Sequence, residues 1–170
     1  MSELEAYIFD RCLNYLSFRA RSVKEIVDYI KNILRKRSVA DEFKAELIES
    51  ITGRLNNLNL LDDVAFAKMV VSQRTNAKNP KGPLAIKAEL FKKGISRDIV
   101  SSLTFQTPLT SQTLQKIALD KLASYQKKDQ KSGRQKTLRY LVGRGFSFES
   151  VIAAIDSVAS KKYNSGKDFD

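Results

Sequence analysis

Few side chains in this sequence can do covalent chemistry. There is no histidine, which removes the commonest general base and metal ligand. The single cysteine, Cys12, can build neither an intramolecular disulfide nor a thiolate metal site, and its apolar neighbours suit a buried core thiol. The adjacent carboxylates Asp62 and Asp63 are the pair best able to hold Mg²⁺ or move a proton. They stand directly before Val64-Ala65-Phe66-Ala67, however, where a carboxylate caps a helix and complements its dipole. Capping is the expected role. Lys78-Asn79-Pro80-Lys81-Gly82-Pro83 is basic and contains a glycine but lacks the spacing of a phosphate-binding loop. No catalysis, metal or cofactor is expected.

Cations are the informative set. Thirty Lys and Arg oppose 19 Asp and Glu, a net charge of +11. Such an excess favours polyanions or acidic protein surfaces as partners. The net charge is +1 over residues 1–60, +4 over 61–109 and +6 over 110–170. Arg19 and Arg21 mark one turn, Arg74, Lys78 and Lys81 a second, and Lys127, Lys128, Lys131 and Arg134 a third. Lys136 and Arg139 lie three apart on a helix, beside Tyr140 and off its apolar face of Leu138, Leu141 and Val142. The ordinary role of such a cation is to keep a helix soluble. Recurrence at equivalent turns is what singles these out. The candidate partner contacts are Arg19, Arg21, Lys24, Arg74, Lys78, Lys81, Lys87, Arg134, Lys136, Arg139 and Arg144. Aromatic residues are too thinly mixed with them for base stacking.

The elements that position these cations are helices. Phe43, Leu47, Ile51 and Leu55 recur every four residues. Leu114, Ile117, Ala118, Leu122 and Tyr125 form a second helical stripe, and Val151, Ile152, Ile155, Val158 and Ala159 a third. No run alternates with the period of a strand. Punctuation repeats as well. Leu34-Arg35-Lys36-Arg37-Ser38, Phe91-Lys92-Lys93-Gly94-Ile95-Ser96 and Val142-Gly143-Arg144-Gly145-Phe146-Ser147 each close one helix and open the next. Their serines are expected to cap, and Gly94 and Gly145 suit the left-handed residue that ends a helix. Upstream, Ser22 with Glu25 reads as a capping box, and Lys81-Gly82-Pro83 and Lys131-Ser132-Gly133 open the matching helices.

The unit is therefore helix A, a polar turn, helix B, a basic tight turn and helix C. A falls at 2–17, 62–75 and 111–127, B at 23–36, 82–93 and 133–143, and C at 39–57, 97–104 and 148–161. The expected fold is all-α: three tandem three-helix repeats over 1–58, 59–108 and 109–162, then a flexible tail at 163–170. Stacked repeats would give an elongated, curved right-handed helical array with its basic turns along one edge. No apolar stretch reaches the length of a membrane span, and the acidic start Met1-Ser2-Glu3-Leu4-Glu5 lacks a signal-peptide core. A cytoplasmic monomer is expected.

These motifs, in this order, resemble the RecX family of RecA regulators. Arg19-Ala20-Arg21-Ser22-Val23-Lys24-Glu25 looks like its R-x-R-S-x-x-E element, and Leu61-Asp62-Asp63-Val64-Ala65-Phe66-Ala67 like its L-D-D-x-x-F-A element. Arg74, Gly82, Leu90 and Lys93-Gly94-Ile95-Ser96 resemble the central element, and Leu141 with Arg144-Gly145-Phe146-Ser147 the C-terminal R-G-F-S element. The match runs over about residues 6–158, although Arg35-Lys36-Arg37-Ser38 lacks the glycine common in that turn. The resemblance implies a cytoplasmic bacterial protein of tandem three-helix repeats. It implies lodging in the groove of the RecA–single-stranded-DNA filament and inhibition of filament extension, ATPase and strand exchange, in the regulation of repair, recombination and the SOS response.

Two other classes fit the composition. A generic DNA-binding protein or helix-turn-helix regulator would need a recognition helix with base-reading side chains, and no helix stands out. A passive helical scaffold would bind its partner through an apolar patch, insensitively to salt.

Overall fold

Helices begin and end where particular side chains or turns satisfy their free backbone groups. The computed structural model describes residues 2–104, 108–127 and 132–164. Among the described residues the regular structure is helical throughout. The helices are α1 (Glu3–Ser17), α2 (Val23–Lys36), α3 (Asp41–Asn57), α4 (Asp63–Thr75), α5 (Pro83–Lys92), α6 (Arg97–Ser102), α7 (Pro108–Gln126), α8 (Gly133–Gly143) and α9 (Phe148–Asn164). They follow the expected order, with α1, α4 and α7 in the A positions, α2, α5 and α8 in the B positions, and α3, α6 and α9 in the C positions. The rest of the expected tail, like Lys128 and Lys131, lies outside the described residues.

Local capping explains most starts. The Ser22 hydroxyl accepts from the Glu25 N–H while the Glu25 carboxylate accepts from the Ser22 N–H, the capping box the spacing predicts. Ser96 and Ser147 accept from the N–H groups of Ile99 and Ser150. Asp62 accepts from the N–H groups of Val64 and Ala65, which is the capping role expected of the carboxylate pair. Asp63 reaches instead to the Val23 N–H at 2.9 Å, tying the start of α4 to that of α2.

One capping expectation is corrected. Ser38 does not cap α3; the N-cap is Ala40, with no side-chain hydrogen bond. Ser38 has φ 51°, in the left-handed region with Gly94 at 80° and Gly145 at 88°. The hydrogen bonds show the reason. Val39 N–H closes onto Leu34 O, Ile95 N–H onto Leu90 O and Phe146 N–H onto Leu141 O, each five residues back. Ser38 therefore corresponds to the two glycines rather than to Ser96 and Ser147, and all three turns are one helix-ending motif.

The chain divides into two compact units, Met1–Val70 with Leu90–Ser102, and Val71–Glu89 with Leu103–Asp170. In the first, α1, α2 and α3 pack pairwise around Ile8, Phe9, Cys12, Ile26, Ile30, Leu34, Ile51, Leu55 and Leu61. In the second, α7, α8 and α9 pack pairwise around Leu114, Ala118, Leu141, Phe146, Val151, Ala154 and Ile155. Burying one such aliphatic side chain contributes about 1.5–3 kcal/mol, so these clusters dominate local stability. Three apolar assignments are corrected at stripe ends. Phe43 is 54% exposed, before α3 reaches its packed half, Val142 is 40% exposed where α8 ends, and Ala159 is exposed beyond the packed part of α9.

Each unit contains a joint of the same design. In the first, the Lys93–Gly94 turn lies on the first turn of α2, and the Ser22 hydroxyl donates to Lys93 O at 2.7 Å. In the second, the Arg144–Gly145 turn lies on the first turn of α5. The Gly82 N–H donates to Arg144 O at 2.9 Å and the Leu84 N–H to Gly145 O at 3.0 Å. A Cβ on Gly82 would come within 2.2 Å of the Gly145 backbone, so this contact requires glycine on both sides.

Candidate functional site

The cations singled out by the sequence sort into those bound internally and those facing solvent. Arg19 leaves the α1–α2 turn and grips Glu25 through two nitrogens, at 3.2 and 2.8 Å. Lys93 reaches the same carboxylate at 3.0 Å. Burial pushes the Glu25 carboxyl up, but hydrogen bonds from Arg19, Lys93 and the Ser22 N–H outweigh it and hold it at about 2. Arg21 lies 3.7 Å over the Tyr15 ring, which stacks on Tyr29 with ring centres 4.2 Å apart. Lys24 pairs with Asp28 along α2 at 2.5 Å.

The second basic turn repeats the arrangement. Arg74, in the last turn of α4, donates to Glu89 of α5 through Nε and Nη2, the latter at 2.7 Å. Lys81 reaches the other oxygen at 2.8 Å. The Arg74 hydrogen bonds, reinforced by Lys81 against the opposing effect of burial, bring the Glu89 carboxyl down to about 2. Each cluster sets two cations against one carboxylate and so keeps one net positive charge beside its turn. Lys78 stands exposed between Arg74 and Lys81 in sequence, and Lys87 is half-buried.

The third set is more open. Arg134 meets Asp156 of α9 at 2.6 Å with both side chains more than half exposed, a geometry that contributes little stability in water. Lys136 and Arg139 are exposed on α8, and Lys121 of α7 sits 4.5 Å over the Tyr140 ring. Arg144 turns inward, its guanidinium donating to the carbonyls of Asn79 and Pro80. Lys78 and Arg139 have no ion-pair partner among the described residues.

The geometry therefore separates residues that the sequence grouped together. Arg19, Arg74, Lys81 and Arg144 hold turns in place; Lys78 and Arg139 face outward. Sequence reasoning missed Glu89 as the centre of a cluster and saw Glu25 only as a cap. A signal for the second role is faint, because Arg19 and Glu25 are six apart across a turn and Arg74 and Glu89 fifteen apart. Among the described residues no group of His, Cys, Asp and Glu could hold a metal, and no helix is long and apolar enough to cross a membrane. Burial pushes the Cys12 thiol up to about 11, so it is protonated and unreactive.

Comparison with known proteins supplies what this geometry alone does not. A family model described as the second three-helix domain of RecX matches residues 62–102, and one for the third three-helix domain matches residues 111–155. A regulatory protein RecX of Prosthecochloris aestuarii is 33% identical, with 88% of this chain aligned to 91% of that protein. The regulatory protein RecX of Bacillus subtilis is 34% identical over 88% of this chain but only 54% of its own length. The chain thus spans about half of several of these relatives. A crystal structure of RecX from Lactobacillus salivarius superposes with a TM-score of 0.73 at 25% identity, covering 91% of this chain and 96% of that one. A second RecX crystal structure gives 0.73 at 30% identity, covering 89% of this chain and 71% of the other.

Proposed function

Because the chain belongs to the RecX family, we propose that it binds the RecA–single-stranded-DNA filament in its helical groove and restrains filament extension, ATP hydrolysis and strand exchange. The observation that carries this reading is the pair of family matches, which fall inside the second and third of the repeats proposed at 1–58, 59–108 and 109–162. Charge supports it, since a net +11 suits a groove lined by acidic protein and DNA phosphate. The protein acts by binding, without covalent chemistry, as a cytoplasmic monomer.

Several modest contacts on one chain would favour filament over free RecA, because each contact raises the effective concentration of the next. Lys78 and Arg139 suit direct contact best, being exposed and without an ion-pair partner among the described residues. Arg19, Arg74 and Lys81 act through the turns they hold. The test is the affinity of a Lys78→Glu, Arg139→Glu variant for RecA–DNA filaments. Reversing two interfacial charges is expected to weaken binding by about tenfold or more. Unchanged binding by the folded variant would overturn this choice of contacts. Tight binding to DNA with none to the filament would favour a generic DNA-binding protein.

A further inference from the structure

We propose that Arg144 is a positioning residue for filament binding: it fixes the exposed loop that carries Lys78 and does not touch the partner itself. The inference rests on the filament reading and on Lys78 as a contact. Residues 76–82 join α4 to α5, with Lys78 exposed near their middle. The loop is tied to its own helices only at its ends. The Asn76 N–H donates to Ser72 O at 3.0 Å. The Lys81 N–H donates to Arg74 O at 3.0 Å, and the Lys81 ammonium pairs with Glu89. Between these ties, the N–H groups of Ala77, Lys78 and Asn79 donate to no described residue.

That stretch is held from the α8–α9 turn. Arg144 donates to Pro80 O through Nε at 3.2 Å and Nη2 at 3.0 Å, and Nη2 also donates to Asn79 O. The Arg144 backbone is itself fixed. Its N–H donates to Tyr140 O at 3.0 Å, and its carbonyl accepts from the Gly82 N–H at 2.9 Å. Pro80 further confines Asn79 to extended backbone. Lys78 therefore stands one residue from a segment held on both carbonyls. Asn79 is exposed and water satisfies its carbonyl equally well, so this tie contributes little stability. What it contributes is order. A lysine on a loose loop loses backbone and side-chain freedom when it binds, and a loop fixed beforehand has less to lose. The geometry also calls for arginine. A planar guanidinium spans two carbonyls, whereas a lysine ammonium is a point charge on a flexible stem.

The test is the affinity of the whole chain for RecA–single-stranded-DNA filaments, for wild type, Arg144→Lys, Lys78→Gln and the double variant. Trypsin cleavage of the Lys78–Asn79 bond in the free protein is followed alongside, and thermal unfolding establishes that each variant is folded. Arg144→Lys keeps the charge and loses the fork. It should weaken binding by about three- to tenfold, the cost of ordering one long side chain and its loop. It should add nothing once Lys78 is gone, so the double variant binds as Lys78→Gln does. Cleavage after Lys78 should quicken by about threefold or more. Asn79→Gly, which loosens the same stretch with Arg144 intact, should weaken binding as well. Wild-type affinity in Arg144→Lys would mean that charge alone suffices, and effects that multiply in the double variant would mean that Arg144 acts independently of Lys78. Either overturns the proposal, as does unchanged cleavage after Lys78 or wild-type affinity in Asn79→Gly. No filament binding by wild type would remove the filament reading and this proposal with it, whereas the other outcomes remove the proposal alone.

Discussion

At Gly143 and Gly145 two identical residues, two positions apart, carry opposite constraints. Nothing lies within 4 Å of a Cβ on Gly143, whereas one on Gly145 meets Ala85 and would sit at φ 88°. Gly143→Ala should therefore leave stability unchanged or raise it, by up to about 1 kcal/mol from helix propensity. Gly145→Ala should cost about 3 kcal/mol, from the left-handed backbone and the clash together. Urea unfolding of the two variants side by side checks this, and equal effects would contradict the joint. Glu25 and Glu89 give a second prediction at this scale. Their folded carboxyls lie at about 2, below the unfolded value near 4.5. The stability they contribute is thus complete above about 4.5 and is lost as pH falls toward 2. A Glu25→Gln, Glu89→Gln variant should be less stable at neutral pH and show a flatter acid limb. Parallel acid limbs would mean that the clusters contribute nothing.

The element scale shows what the sequence makes legible. All nine helices described here begin and end within about three residues of positions read from apolar spacing and turn residues. Those signals are local, and so are the interactions that set helix ends. Ser38 defeated the reading because serine is a common N-cap, while its left-handed role depends on the Val39–Leu34 hydrogen bond. The candidate cations were found as a set, but their division into internal and outward residues depends on partners across turns, such as Glu25 for Lys93 and Pro80 for Arg144. Nothing in the local pattern encodes those contacts. Ser22 is the helix terminus with most at stake: it is buried, caps α2 and donates to Lys93 O. Ser22→Ala should cost about 2 kcal/mol, one part cap and one part buried hydrogen bond, measured by chemical denaturation. A loss no larger than that of an exposed cap such as Ser147→Ala would leave the Lys93 contact without weight.

For the whole molecule, helical scaffolding and charge are separate layers. The apolar clusters fix each unit, and the outward cations cost little to keep or remove, so binding can be altered without unfolding. If charge drives association with the filament, affinity must fall as salt screens it, over a Debye length of about 10 Å at 0.1 M. Salt-insensitive binding would point instead to an apolar contact.

Single-strand-DNA-dependent ATP hydrolysis by RecA from the same source tests the proposed restraint of RecA filaments most directly. The protein is titrated in below the concentration of RecA. A filament-level regulator lowers the rate at ratios well under one chain per RecA, since one bound chain affects many protomers. An unchanged rate up to equimolar protein, with wild type shown to be folded, would contradict the account.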